Sequence, residues 1–164
     1  MNILATFQTV TTFVFDMDGV LTDGTLLLVK GDSWLRKMYI RDGYALQLAA
    51  KKGYRIMILS GSSSTQVKKR LRILGIQDIF MNEHDKKSKL EKYMKKHGLV
   101  KGEMLYMGDD IPDLECMQVV GVPCCPADAV HEIKASSKYI SPFKGGQGCA
   151  RDVIEKVLKL KRDW

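Results

Sequence analysis

The chain has no CxxC pair, no apolar run of membrane-spanning length, no internal repeat, no low-complexity segment and no linker rich in Pro, Gly or Ser. Without paired thiols, a zinc site or a dithiol redox centre has no ligands at the usual spacing. Cys116, Cys124, Cys125 and Cys149 are therefore expected as buried free thiols, with adjacent Cys124 and Cys125 on opposite faces of a strand. The opening apolar stretch lacks a charged flank and is interrupted by Asp16 and Asp18, so neither a signal peptide nor a membrane helix is expected, and a cytoplasmic location is. With no linker, 164 residues and 45% hydrophobic content suit one domain spanning 1–164.

The formal charge of +7 would suit nucleic acid, an acidic surface or a small anion. Most of it lies in VKKRLRIL, KKSKLEKYMKKHG and KVLKLKRDW, where lysines alternate with apolar residues at helical spacing. Those are solvated helix faces, and no basic strand interleaved with aromatics offers stacking platforms, so nucleic acid is not the expected partner.

Apolar runs alternate with amphipathic ones. TTFVFDM, YRIMILS, DIFMN, EMLYMGD and VGVPCCP read as buried strands, and DGYALQLAAKKG, STQVKKRLRILG, KKSKLEKYMKKHG, DLECMQVV and ARDVIEKVLKLK as helices. Strict alternation predicts an α/β fold, a Rossmann-like three-layer sandwich with a mainly parallel sheet. TLLLVKGDSWLRKMYI breaks the pattern: two short strands around Gly31-Asp32-Ser33 predict a hairpin over about 25–40, projecting from the sheet after strand 1. A Gly-rich segment, about 141–150, follows a last short strand.

In an open parallel sheet, ligands bind beyond the carboxyl ends of the strands. Here those ends carry Asp16 and Asp18, Ser60 and Gly61, Lys86 at a helix start, and Asp109, Asp110 and Asp113. Each alone has an ordinary reading as a turn residue or cap. Together they form a phosphoryl-transfer set, because converging carboxylates need a cation, hard oxygen ligands suit Mg²⁺, and a lysine, a hydroxyl and an open amide can hold a phosphate. Asp16 and Asp18, two apart on extended chain, point the same way. Asp23 belongs to the bend into the hairpin.

DMDGVLTDG, ILSG, Lys86 and GDDIPD resemble the four motifs of the haloacid dehalogenase superfamily. That resemblance implies a phosphatase in which Asp16 attacks phosphorus to form an aspartyl-phosphate, and Asp18 protonates the leaving oxygen and then activates water. It further implies that Asp16, the Asp18 backbone carbonyl and Asp109 hold Mg²⁺. Ser60, Gly61 and Lys86 would grip the phosphoryl group, with Asp110 and Asp113 in support. About 44 residues separate Asp16 from Ser60 and about 26 separate Ser60 from Lys86, leaving no room for a cap domain.

TDG with its hairpin, IRDGYALQLAAKKG and PFKGGQGCARDVIEKVL resemble the capless branch acting on 3-deoxy-octulosonate 8-phosphate and related phosphorylated 2-keto-3-deoxy sugar acids. The branch implies a homotetramer and a small phosphorylated sugar acid as substrate, with Asp42, Gly43, Arg70 and Arg151 at substrate-site positions. An ordinary helix N-cap is the alternative for Asp42. After the Ser-Gly element, eight-carbon relatives tend to carry Arg and nine-carbon relatives Glu; this chain has Ser62. The octulosonate ester is favoured over the nonulosonate ester. The alternatives are an oligomerisation domain like that of vertebrate-type sialic acid cytidylyltransferases, and a phosphatase of phosphoproteins or nucleic-acid ends. The site being open, the hairpins are expected to form the central contact and each Gly-rich tail to close over a neighbour's Asp16.

Overall fold

The structure is a computed structural model that describes residues 3–31 and 33–164. Six strands, β1 (Thr12–Phe15), β4 (Arg55–Leu59), β5 (Asp78–Phe80), β6 (Met104–Met107), β7 (Val122–Cys125) and β8 (Tyr139–Ile140), form one sheet in the order β5-β4-β1-β6-β7-β8. Every pairing in it is parallel. β1 lies between β4 and β6, so the loop that follows it opens at the middle of the sheet's carboxyl edge.

The strands are buried on both faces, and their side chains alternate between two cores. Phe13, Phe15, Ile56, Ile58, Leu105 and Met107 face the side covered by α1 (Ile3–Thr9), α2 (Ile40–Lys51), α3 (Thr65–Ile73) and α7 (Cys149–Leu160). Val14, Met57, Leu59, Met104 and Tyr106 face α4 (Lys86–His97), α5 (Leu114–Val119) and α6 (His131–Ser136). Cys124 joins the first core and Cys125 the second, as a strand's alternation requires, and all four cysteines are buried and free. This is the expected three-layer α/β arrangement, and no cap interrupts it among the described residues.

Two elements differ from expectation. Ile3–Thr9, for which the sequence predicts no element, is a helix that buries Phe7. His131–Ser136 is a further helix, with only Ile133 buried; six residues carry too little periodicity to announce it.

The hairpin is present as β2 (Leu27–Val29) and β3 (Ser33–Leu35), an antiparallel ribbon apart from the main sheet. Its turn at Asp32 lies outside the described residues. Leu28 pairs across the ribbon with Trp34, and Leu27 with Leu35, yet all four are exposed. The return arm is tied back by a Thr22–Met38 bridge and a Lys37–Asp23 ion pair of 3.1 Å. Asp23 also accepts the Thr25 N–H at 3.0 Å, consistent with its place in the bend.

The Gly-rich segment packs within its own chain. The Gly146 N–H donates to Val20 O at 2.9 Å and the Gly145 N–H to Asp128 Oδ1 at 3.0 Å. A Cβ at position 145 would stand 1.9 Å from Gly19 O, and one at 146 2.5 Å from Asp23 N. The glycines permit this close backbone approach to residues 19–23, a use the picture of a tail closing over a neighbour's Asp16 did not foresee.

Candidate active site

Asp16 follows β1, its N–H donating to Met107 O at 3.0 Å, so the end of one strand is pinned to the next. Asp109 and Asp113 follow β6, and Lys86 opens α4 behind its N-cap Asp85, which accepts the Ser88 N–H at 2.9 Å. Crossover connections thus bring four residues spread over about a hundred positions to one point. Lys86 Nζ lies 3.0 Å from Asp16 Oδ1 and 2.8 Å from Asp113 Oδ1, and all three side chains are buried. A cavity of about 270 Å³ opens here, lined by Asp16, Asp18, Ser60, Gly61, Lys86 and Asp109 among others.

The carboxylates repel one another. Burial, then Asp113, pushes the Asp16 carboxyl up to about 7 despite Lys86, and burial, then Asp16 and Asp113, pushes Asp109 up to about 8. Burial opposes the charge on Lys86, but Asp113 and Asp16 outweigh it and hold the ammonium well above its ordinary value.

Carboxylate oxygens of Asp16, Asp109 and Asp113 lie within 4.8 Å of one another, and buried Asp109 Oδ1 has no hydrogen-bond partner. A buried oxygen without a donor among crowded carboxylates is what a cation site looks like before the cation is added. The residues therefore fit a hard divalent ion. Asp113 is already spent: its Oδ1 accepts from Lys86 and from Tyr106 Oη at 2.6 Å, and its Oδ2 accepts the Asp109 N–H at 3.1 Å. It braces the cluster. Gly19 (φ +86°) leaves room for Asp109, since a Cβ there would stand 1.9 Å from Asp109 Oδ2.

Asp18 lines the same cavity but its carboxylate is turned to Arg36, with Nε–Oδ1 2.7 Å and Nη2–Oδ2 3.1 Å, and it also accepts from Ser62 Oγ at 2.5 Å. Burial raises its carboxyl, but the hydrogen bonds from Arg36 and Ser62 outweigh it and the net shift is downward. Ser60 is buried and its Oγ accepts the Ser62 N–H at 3.2 Å; Gly61 sits on the cavity wall. Asp110 is exposed at the rim, where it accepts the Ile111 N–H at 2.8 Å.

The other four candidates lie elsewhere, and none lines this cavity. Asp42 sits inside the first turn of α2, so it is not an N-cap; it is buried and accepts the N–H groups of Gly148 (3.2 Å) and Arg151 (2.7 Å). Burial pushes its carboxyl up to about 6 against the backbone bond from Arg151. It ties α2 to the start of α7. Gly43 makes room for Arg70, whose Nη2 would be 3.2 Å from a Cβ there. Arg151 pairs with Glu155 at 3.0 Å and lies over the Trp164 ring at 5.1 Å.

Arg36 and Tyr106 are not among the expected site residues, and Ser62 is expected only as the residue after the Ser-Gly element, not as a partner of Asp18. Tyr106 carried a signal, a hydroxyl at a buried strand position that needs a partner. Arg36 was legible only as one cation in an apolar return strand.

A buried carboxylate held against a lysine, an acidic pair and a hydroxyl loop, all on the carboxyl edge of a parallel sheet, make a site of the kind that can transfer a phosphoryl group in a Rossmann-like fold. Residues 74–151 match the family described as haloacid dehalogenase-like hydrolase. The phosphatase of 3-deoxy-D-manno-octulosonate 8-phosphate from Moraxella catarrhalis, crystallised with magnesium ion, phosphate ion and KDO, is 31% identical. The match covers 96% of this chain and 91% of that one, with a TM-score of 0.91. The cobalt-bound deoxy-D-mannose-octulosonate 8-phosphate phosphatase (YrbI) of Haemophilus influenzae is 26% identical, with a TM-score of 0.90 over 96% of this chain and 92% of that one. The octulosonate 8-phosphate phosphatase KdsC of Escherichia coli K12 is 26% identical over 96% of this chain and 84% of that protein. The chain belongs to the haloacid dehalogenase superfamily, in the capless branch that resembles these enzymes, and is a phosphatase of that type. Among the described residues no helix is long and apolar enough to cross a membrane.

Proposed function

We propose that the chain is a Mg²⁺-dependent phosphomonoesterase that acts on a phosphorylated 2-keto-3-deoxy sugar acid, 3-deoxy-D-manno-octulosonate 8-phosphate before its nine-carbon homologue. The observation that carries the chemistry is the convergence of Asp16, Lys86, Asp109 and Asp113, with one carboxylate oxygen left without a donor. The substrate assignment rests on the relatives' substrate and on the lack of a cap among the described residues.

Asp16 Oδ bonds to phosphorus as the ester P–O bond breaks, and the leaving alkoxide takes its proton from Asp18. Water then bonds to phosphorus, its proton passes to Asp18, and the bond from phosphorus to Asp16 breaks to release phosphate. Lys86 counters the charge of the incoming phosphoryl group, while Ser60 Oγ and the Gly61 N–H are the neutral donors for its oxygens. Asp16, Asp109 and the Asp18 backbone carbonyl would hold Mg²⁺, with Asp110 and Asp113 supporting. When bound, the ion neutralises the carboxylates and phosphoryl oxygens that would otherwise repel each other. We place Asp42, Gly43, Arg70 and Arg151 outside the phosphoryl cavity, where they shape and hold the segments around it.

Assembly is the second part of the reading. A lone ribbon with exposed Leu27, Leu28, Trp34 and Leu35 is more apolar than solvent favours, and four copies meeting through it would bury that surface and cover the open site. Specificity constants over a panel of phosphorylated sugar acids, with Asp16→Asn as the inactive control, test the reading. Equal rates on neutral sugar phosphates would overturn the substrate, and near-normal turnover by Asp16→Asn would overturn the mechanism.

A further inference from the structure

Arg36 is carried by the hairpin's return arm, yet its side chain is only 3% exposed and its fork grips both oxygens of Asp18. Placing a guanidinium out of water costs more than a pair with a partly exposed carboxylate returns, so a buried arginine on a loop points to a purpose other than stability. Its Nη2 also donates to Ser62 Oγ at 3.3 Å; that hydroxyl donates to Asp18 Oδ2 and lies 3.4 Å from Ser60 Oγ. Thr22 Oγ1 adds a donor to Oδ1 at 3.3 Å. Among the described residues, each of these hydrogen-bond partners of the Asp18 carboxylate is thus a donor. The Ser62 and Thr22 hydroxyls can turn to accept, so either oxygen can take on a proton while the Arg36 fork keeps the carboxylate in place. The Asp18 side chain is 30% exposed, toward the cavity, so water reaches it.

We propose that Arg36, with Ser62, is a positioning residue that holds the Asp18 carboxylate in place as proton acceptor for the second half of the reaction, in which water hydrolyses the aspartyl-phosphate. In that step a water O–H bond breaks, its oxygen bonds to phosphorus, its proton goes to Asp18, and the phosphorus bond to Asp16 breaks with its electron pair returning to the carboxylate. The inference rests on the two-carboxylate reading above. A planar bidentate fork fixes both the place and the plane of the carboxylate, which a lysine's point charge does not.

The test uses the whole protein with Mg²⁺ and p-nitrophenyl phosphate, whose leaving group needs no proton. In Arg36→Met, kcat is expected to fall about 10²-fold, the usual scale of a general base. KM falls with it, kcat/KM stays within about 3-fold because it reports only the first half-reaction, and one nitrophenolate per site appears in a pre-steady-state burst. Arg36→Lys recovers part of kcat. If kcat/KM falls as far as kcat, KM is unchanged and no burst appears, Arg36 is a brace for the hairpin and the inference is overturned. Asp18→Asn separates the two readings: a burst there but none in Arg36→Met removes this inference alone, whereas undiminished turnover there removes the role of Asp18 itself. Should Arg36→Met not fold, Ser62→Ala keeps the fork, removes one donor, and is expected to show the same pattern at about 10-fold; its absence there counts against the proposal equally.

Discussion

Asp109→Asn is expected to stabilise the metal-free protein while abolishing its response to Mg²⁺. Asp109 is held up at about 8 against 3.8 for an ordinary aspartate, by burial and by Asp16 and Asp113. Well below pH 4 folded and unfolded forms both carry the proton; as pH rises the unfolded chain releases it first, so the folded state loses stability from about pH 4 to about pH 8. At about 1.4 kcal/mol per pH unit the loss is capped at about 6 kcal/mol. Water at the partly exposed carboxyl screens it, so about 2–3 kcal/mol is expected. Asparagine keeps the shape and removes the charge, and for a domain of this size that converts to about 5–10 °C in Tm. The assay is thermal unfolding with a chelator at pH 8 and pH 5. The variant should melt above the parent at pH 8, and its advantage should shrink at pH 5. Mg²⁺ at about 100 times its Kd adds about 2.7 kcal/mol to the parent only and reverses the order. A variant that melts below the parent by the same margin at both pH values would refute the repulsion argument.

Gly19→Ala should cost Mg²⁺ affinity and activity together, because its Cβ would overlap Asp109 Oδ2 at a φ of +86°; titration calorimetry showing unchanged affinity would count against that packing. Asp42→Ala strands a buried N–H, that of Gly148, and a part-buried one, that of Arg151, and is expected to destabilise by about 2–4 kcal/mol in denaturant melts, with lost hydrogen-exchange protection at the start of α7. Leu28→Lys with Trp34→Lys places like charges directly opposite each other on the exposed ribbon and should reduce the proposed tetramer to smaller species in sedimentation, while an unchanged size would exclude the ribbon as the contact.

Much of this was legible in the chain because it is local. Short continuous apolar runs such as MLYM and RIMIL, alternating with amphipathic helices, suit strands buried on both faces of a covered parallel sheet, and once the strands are known, the residues ending them must share one edge. Asp16, Ser60, Lys86 and Asp109 were found that way. Adjacent Cys124 and Cys125 fell on opposite faces for the same reason. Short helices were harder: His131–Ser136 buries one residue and leaves no periodic trace.

The sequence by itself determined the class of fold, the carboxyl-edge site and the chemistry of its carboxylates, since strand alternation and strand-end residues are set by neighbours along the chain. Only the tertiary structure decided that Asp42 serves α7 and not the cavity, that Gly145 and Gly146 lie on the loop after Asp18, and that Arg36 and Ser62 meet at Asp18. Those contacts join residues 106, 18 and 44 positions apart. They depend on how the hairpin and the last loop fold back over the sheet, and no periodicity encodes that.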